Sequence, residues 1–398
     1  MNDSQLKAVL ELEKTPLYIF DLSELSDRIC FLRNHLPASV LICYAVKANP
    51  FLAQEVSGLV ERLEICSPGE YRICQNLGLS QEQFVVSGVY KTPSLMHDMI
   101  ARDDATGLFT VESLQQFFLL YEEAKSGHKR IPVLLRLTSG NQFGLDEPDA
   151  EKLIADYQHD VHLDIRGIQY FSGTQKTSLK RLERELEYLD SFLERLQTSY
   201  GYRAQELEFG PGFPVSYFQG EELAEPEFFK SFSALLTGMR FGGLITLEIG
   251  RSIAASCGYY LTRVVDTKIN KGRNYAIVDG GIHQLVYFGQ FMAMKRPHVR
   301  ILAPSIRGSE EEWNIFGSLC TINDVLVKSL PLPGLHVGDT LVFENTGAYC
   351  MTEGISLFLS RDLPAVVLFQ CNGTPLLVRG HISTAFLNAP DYERSNKK

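Results

Sequence analysis

The stretch LICYAVKANP, residues 41–50, decides the fold. Ile42, Tyr44 and Val46 give it the apolar character of a buried strand, and Asn49-Pro50 stop it. At its tip stands Lys47, and a lysine is among the costliest side chains to take out of water. A core strand ending in an amine fits a parallel barrel, in which the carboxyl ends of the strands carry the chemistry.

Seven further runs repeat the pattern: RLEICSP (62–68), FVVSGVYK (84–91), LFTVES (108–113), VLLRLTS (133–139), IRGIQYFSGT (165–174), ELEFGPGFP (206–214) and LITLEIGRS (244–252). Each is short, apolar and closed by Ser, Gly, Pro or Lys. Between them lie amphipathic stretches such as SLKRLERELEYLDSFLERLQTSYG (178–201), with apolar residues at helical spacing and a glycine stop. Eight strands alternating with helices predict an α/β fold, a (β/α)8 TIM-like barrel over residues 17–254. Lys47, Ser67, Lys91, Glu112, Arg136, Gly173, Gly210 and Glu248 all fall at or just beyond strand ends.

From residue 255 the texture changes. GYYLTRVVDTKINKGRNYAIVDGG (258–281) reads as two strands joined by a Lys-Gly turn, and Pro/Gly-punctuated β-runs follow at 324–350 and 365–380. This predicts a mostly antiparallel C-terminal β domain over 255–390. Residues 1–16 are expected to pack on or near it, and PLYIF (16–20) could return to join it.

The 398 residues suffice for a large core, and 45% hydrophobic with 22% charged residues is an ordinary globular balance. A formal charge of -10 argues against a nucleic-acid or anionic-membrane partner. No apolar run approaches the roughly 20 residues that span a bilayer, and the charged, helix-like N-terminus is unlike a secretory signal. Eight cysteines without a CxxC or a close metal spacing read as reduced thiols of a cytoplasmic protein that holds no metal.

A lysine at a barrel strand end can form a Schiff base, although alone Lys47 reads more readily as a solvent-facing strand cap. EFGPGFP (208–214) is a glycine-bearing loop whose backbone N–H groups could hold a phosphate, or simply a tight turn. LEIGRS (247–252) ends a strand with Glu248, Gly250 and Arg251. Lysine for an aldehyde, an acid for a ring nitrogen and glycine backbone for a phosphate together fit pyridoxal 5'-phosphate.

With these motifs in this order, the chain resembles the fold-type III pyridoxal-phosphate decarboxylases, the group of diaminopimelate and ornithine decarboxylases. YAVKAN matches their Schiff-base lysine motif, and EIGR their E-P-G-R motif with Ile249 for proline. FGPGF matches their glycine loop with Pro211 for its central glycine, SLCTINDVL their C-x-x-x-D segment and NTGAY their G-A-Y segment. The resemblance implies a carboxy-lyase in which Lys47 holds the cofactor and Glu248 pairs with its ring nitrogen. It gives the phosphate to Gly210, Gly212, Gly250 and Arg251, helped by Tyr349, and has Arg136 brace the lysine strand. It makes Cys320 the acid that reprotonates the α-carbon and Asp324 a contact for the distal substrate, both entering from a partner subunit, so that a homodimer with shared active sites is expected.

The departures narrow the resemblance. FSGTQ puts Phe171 where the family usually has a histidine stacked on the ring; it can sandwich the cofactor but cannot titrate. Thr321-Ile322 stand where the diaminopimelate enzymes have glutamate and serine, which disfavours diaminopimelate. FSGTQ, NQFGLDE (141–147) and C-T-x-x-D are closer to a subgroup of specialised metabolism acting on carrier-protein-tethered amino acids, or on amino-acid conjugates in siderophore assembly. The expected activity is therefore decarboxylation of a tethered or conjugated amino acid. The alternatives are a small free amino acid such as ornithine or lysine, and a catalytically dead regulatory homologue. An acyl or peptidyl carrier protein would need a local basic patch, for which FMAMKRPHVR (291–300) is the candidate beside its reading as a solvated turn.

Overall fold

The computed structural model describes residues 1–102, 107–302 and 309–390. The chain opens with helix α1 (Asp3–Leu12), whose Asn2 side chain accepts the Gln5 N–H while Gln5 reaches back to the Asn2 N–H. Strand β1 (Leu17–Asp21) follows. Then come β2 (Leu41–Ala45), β3 (Arg62–Ile65), β4 (Phe84–Val86), β5 (Leu108–Val111), β6 (Ile131–Leu137), β7 (Leu163–Phe171), β8 (Glu206–Gly210) and β9 (Leu244–Ile249).

Strands β2 to β9 form a closed parallel barrel, each paired with the next and β2 with β9. All eight expected strands are present, including the short one around Phe109. They are apolar because one face meets helices and the other meets the opposite strands; β4, β5 and β8 are buried at every residue. Helix Leu179–Tyr200 shows how the outer layer is specified. The Ser178 side chain accepts the Arg181 N–H, Leu182, Leu186, Leu189, Phe192, Leu193 and Leu196 face inward, and Gly201 stops it at φ 65°. Inside the barrel, Cys43, Val85, Leu108 and Leu134 make an apolar cluster. A polar pair, Arg62 with Glu206, is completed by the Thr246 hydroxyl, which donates to Glu206 at 2.9 Å.

The second unit takes residues 1–27, 216–222 and those from 254 onward; the barrel unit takes 28–215 and 223–253. Its strands are β1, β10 (Gly258–Asn270), β11 (Arg273–Val278), β12 (Val299–Ile301), β13 (Glu310–Phe316), β14 (Val325–Pro333), β15 (Thr340–Glu344), β16 (Ala365–Phe369) and β17 (Pro375–Arg379). The main path runs β14-β13-β11-β10-β1-β16-β17, with β15 pairing β10 and β12. The sheet is mostly antiparallel; β1 with β16 and β11 with β13 are its parallel pairs.

The boundary at residue 17 is thus displaced: β1 belongs to this sheet and not to the barrel. All five of its residues are buried, which requires cover on both faces and partners on both edges. Leu17 and Ile19 pack with Leu6 and Val9 of α1 and with Leu261, Val342 and Val367. On the opposite face Tyr18 lies against Phe20 and Tyr260 and donates its hydroxyl proton to the Gln284 carbonyl at 2.6 Å. Among the described residues no helix is long and apolar enough to cross a membrane.

Candidate active site

Strand β2 ends at Ala45, and a single 3-10 turn, Val46–Ala48, carries Lys47 past the barrel rim. The turn is fastened by Asn49, whose side chain accepts the Phe51 N–H at 3.1 Å and whose carbonyl accepts the Tyr44 hydroxyl at 3.1 Å. The Lys47 Nζ lies 2.6 Å from Glu64 Oε2, 3.5 Å from Glu248 Oε1 and 3.5 Å from Cys66 Sγ. Glu64 and Glu248 sit on β3 and β9, the two strands that flank β2. Gln169, from β7, donates from Nε2 to Glu248 Oε2 at 2.9 Å.

Burial works against both carboxylates, with different outcomes. At Glu64 the Lys47 ammonium and several hydrogen bonds outweigh burial, and the acid is held below its ordinary range. At Glu248 burial comes first and the Glu64 charge adds to it, so that its pKa rises to about 7 despite Lys47. One acid is firmly ionised and its neighbour is poised near neutrality. Neither Glu64 nor Gln169 stood out in the sequence. Their only signal was polarity inside an apolar strand, with Arg62 and Glu64 two residues apart on one face of β3.

Beside this cluster two loops face one another. Gly212 has φ 61°, and a Cβ there would stand 2.1 Å from the Gly173 carbonyl oxygen. A Cβ on Gly210 would strike the Phe171 ring at 2.5 Å. The loops are tied by the Lys176 N–H to the Gly212 carbonyl at 2.9 Å and by both ends of the Gln175 amide to the Val215 backbone. Arg251, which follows Gly250 at the end of β9, donates from Nε to the Thr174 hydroxyl at 3.2 Å. Phe171, Gly210, Gly212 and Arg251 are therefore brought close together by these two loops. Lys176 lies beneath the aromatic pair, 5.9 Å from the Phe171 ring and 5.4 Å from Phe209, and pairs with Glu185 at 2.7 Å.

Arg136 lies elsewhere on the rim. It pairs with Glu112 at 3.0 Å, and its guanidinium lies 4.8 Å from the Phe143 ring. Its partner Glu112 stands just beyond the end of the adjacent β5, and the Arg136 charge also acts on Glu248. Nearby, Lys91 donates to the Gly88 carbonyl and to Gln116, both at 3.1 Å. Burial lowers its ammonium to about 8.

The remaining expected residues belong to the sheet unit. Cys320 is exposed, and Ile322 is 82% exposed. Asp324 is buried, and its carboxylate accepts the Ile282 N–H at 2.8 Å and the Leu319 N–H at 2.7 Å. It crowds Gly281 and Gly317, where a Cβ would stand 2.6 and 2.3 Å from its oxygens. Its carboxylate organises the Cys320 loop, and the direct substrate contact expected of it has no exposed acid to make it. Tyr349 is half-buried at φ 64°. In the basic stretch 291–300, Lys295 pairs with Glu221 at 2.8 Å, and Arg300 pairs with Asp3 and with Glu344. The outward side chains there are mixed: Phe291 at 69% and Met294 at 75% exposed stand beside exposed Lys295 and Arg296.

These residues fit pyridoxal phosphate in kind. An amine sits against two acids, a carboxylate is held by an amide, an aromatic face adjoins, and the loops approach so closely that any Cβ at Gly210 or Gly212 would strike Phe171 or the Gly173 carbonyl. The comparisons agree. The family model of the pyridoxal-dependent decarboxylases, C-terminal sheet domain, matches residues 17–347. An L-glutamyl-[BtrI acyl-carrier protein] decarboxylase of Niallia circulans is 25% identical, covering 95% of this chain and 94% of its own. A diaminopimelate decarboxylase of Aquifex aeolicus is 27% identical, covering 98% and 94%. The crystal structure of AQ1208 from Aquifex aeolicus superposes with a TM-score of 0.83 at 27% identity, over 99% of this chain and 94% of that one.

Proposed function

This chain belongs to the pyridoxal-dependent decarboxylases matched over residues 17–347, and from that premise we propose that it decarboxylates an amino acid whose far end is conjugated or carrier-tethered. The observation that carries this reading is the character of the Cys320 loop. Cys320, Thr321, Ile322 and Asn323 are uncharged, and Asp324 is buried on two backbone N–H groups. A site that reads a free distal ammonium or carboxylate needs a charged partner, because a buried, unpaired charge is costly. An amide or other neutral group needs none. The Niallia circulans relative, which acts on a glutamyl group borne by an acyl-carrier protein, supports the same reading. Lys295 and Arg296 are exposed in the stretch 291–300, so a carrier would meet a small basic patch there in addition to being recognised through its substrate arm.

When bound, pyridoxal phosphate supplies an electron sink conjugated to the substrate α-carbon. Lys47 holds its aldehyde through Nζ, and Glu64, 2.6 Å away, takes the proton that Nζ must lose before it can act as a nucleophile. Glu248, oriented by Gln169, would pair with the ring nitrogen and keep a proton there. The backbone of Gly173, Gly210, Gly212 and Gly250, with the Arg251 guanidinium, would receive the phosphate, and Phe171 would cover the ring with an apolar face that excludes water. Cys320 returns the proton at the α-carbon. In this reading it comes from a second copy of the chain, so the working unit is a homodimer in the cytoplasm.

The test is carbon dioxide release from a panel of free, conjugated and carrier-loaded amino acids. We expect kcat/KM to favour a conjugate over free ornithine, lysine or diaminopimelate by at least ~100-fold, equivalent to roughly 2.7 kcal/mol of differential transition-state binding. The second reading, a small free amino acid, draws on the diaminopimelate decarboxylase of Aquifex aeolicus. Efficient turnover of a free diamino acid would put it first.

A further inference from the structure

Directly below the cluster around Lys47 lies a carboxyl group with no task in the mechanism above. Glu208 stands mid-strand on β8, 0% exposed, and neither of its oxygens has a hydrogen-bond partner among the described residues. Its charged surroundings are unfavourable to ionisation. Glu206 on its own strand, Glu64 on β3 and Glu248 on β9 are all carboxylates, and Cys43 on β2 offers only a thiol. The single cation among them, Arg62, is engaged by both oxygens of Glu206 through both of its terminal nitrogens.

The position paired with Glu208 on β7 is Gln169. Its Nε2 is spent on Glu248, and its Oε1, also buried, has no partner among the described residues. An orphaned acceptor and an orphaned acid thus occupy paired positions on neighbouring strands. A protonated carboxyl is a donor and supplies what the amide oxygen lacks.

We propose that Glu208 is kept as a neutral carboxylic acid that donates its O–H to Gln169 Oε1, so that Gln169 turns its N–H toward Glu248 and holds that carboxylate as the acceptor facing the cofactor ring. The direction of the amide follows from the proton. An ionised Glu208 would demand the Gln169 N–H for itself and turn the amide oxygen on Glu248, repelling the charge the ring nitrogen needs. Burial, and then the charges of Glu248, Glu64 and Glu206, push the Glu208 carboxyl well above the ordinary range, in accord with this geometry. Glu208 is therefore a positioning residue, acting through Gln169. The inference rests on the reading above only for the task given to Glu248.

Infrared difference spectroscopy of the cofactor-free protein tests it without any substrate. At pH 8.5, where Glu248 is largely ionised, the wild type is expected to show the carbonyl stretch of a buried protonated carboxyl, and E208Q to lack it. In the loaded enzyme E208Q keeps a donor and E208L does not. E208L should therefore lower kcat roughly threefold to tenfold more than E208Q does, the span of one hydrogen bond. Q169L should lose as much as E208L, and the E208L/Q169L double variant no more than either. Absence of the carboxyl band, equal damage by E208Q and E208L, or additive losses in the double variant would each overturn the proposal. If E208L does not fold, the infrared comparison with E208Q decides alone, and it does so whatever the substrate proves to be.

Discussion

Asp324 holds Leu319: the carboxylate accepts the backbone N–H of the residue immediately before Cys320, at 2.7 Å, while its other oxygen takes the N–H of Ile282. The thiol loop is therefore built around a buried acid. An amide in its place can accept from one N–H but turns its own N–H groups on the other. Asp324→Asn is expected to lower the unfolding free energy by about 1–3 kcal/mol, read by urea denaturation, and to change the rate at which iodoacetamide modifies Cys320. Unchanged stability with a raised KM confined to basic substrates would instead make Asp324 a substrate ligand.

Borohydride added to the protein with pyridoxal phosphate should fix one cofactor on Lys47, located by peptide mass spectrometry, and Lys47→Ala should abolish the adduct. Lys91 is the informative rival. Its amine is deprotonated more readily than an ordinary lysine because burial lowers it to about 8, yet it is held by the Gly88 carbonyl and Gln116. An adduct on Lys91 would move the site to another strand end.

If Cys320 acts from a second copy, mixing inactive Lys47→Ala with inactive Cys320→Ala protein should recover part of the activity. Random exchange places one intact pair in each hybrid dimer. No recovery after demonstrated subunit exchange would put both residues in one chain.

Gly212 is positive in φ and faces the Gly173 carbonyl across a gap that leaves no room for a methyl group. Gly212→Ala therefore meets backbone strain and a backbone clash together. Strain of about 1–3 kcal/mol predicts a cofactor dissociation constant raised roughly 5- to 150-fold, measured by equilibrium dialysis. An unchanged constant would remove this loop from the phosphate site.

In the sheet unit, burial and then the Arg361 charge push the His283 imidazole down from 6.5 to about 4. The unfolded chain then binds more protons than the folded one between these values. Stability from this residue is intact above pH 6.5, falls as the pH drops toward 4 and declines no further below. His283→Gln should lose about 1–3 kcal/mol less than wild type between pH 7 and 4. Parallel denaturation curves at the two pH values give the difference, and an identical acid loss in both proteins would refute it.

The barrel was legible because its strands are short runs covered on both faces, so even Leu108–Val111 stands out between polar loops. The lysine tip and glycine loops were legible because each is a residue type out of place in its element. What escaped has a common physical cause. Glu64 and Gln169 face inward, but the sequence of a strand does not say which of its two faces is the inner one. Arg136 could be read as a rim residue, whereas its partner Glu112 depends on which strand ends adjoin. Asp324 sits in a recognisable motif, yet its role follows from the two N–H groups on its carboxylate, supplied by residues that fold back from 282 and 319.

Strand β1 leaves the ribosome before all the other strands described but completes its ladder after most of them. Its edges are taken by residues 258–261 and by 365–369, so every strand from β2 to β16 must be synthesised before Leu17–Asp21 is sheathed. Meanwhile most barrel strands find their partner in the next strand made. Until β16 emerges, LYIF is an apolar strand with an open edge, the kind of segment that pairs with copies of itself. The yield of folded protein should therefore depend on how that tetrad is shielded during synthesis. A chain cut short before residue 365 should collect in inclusion bodies, even though every barrel strand has been made.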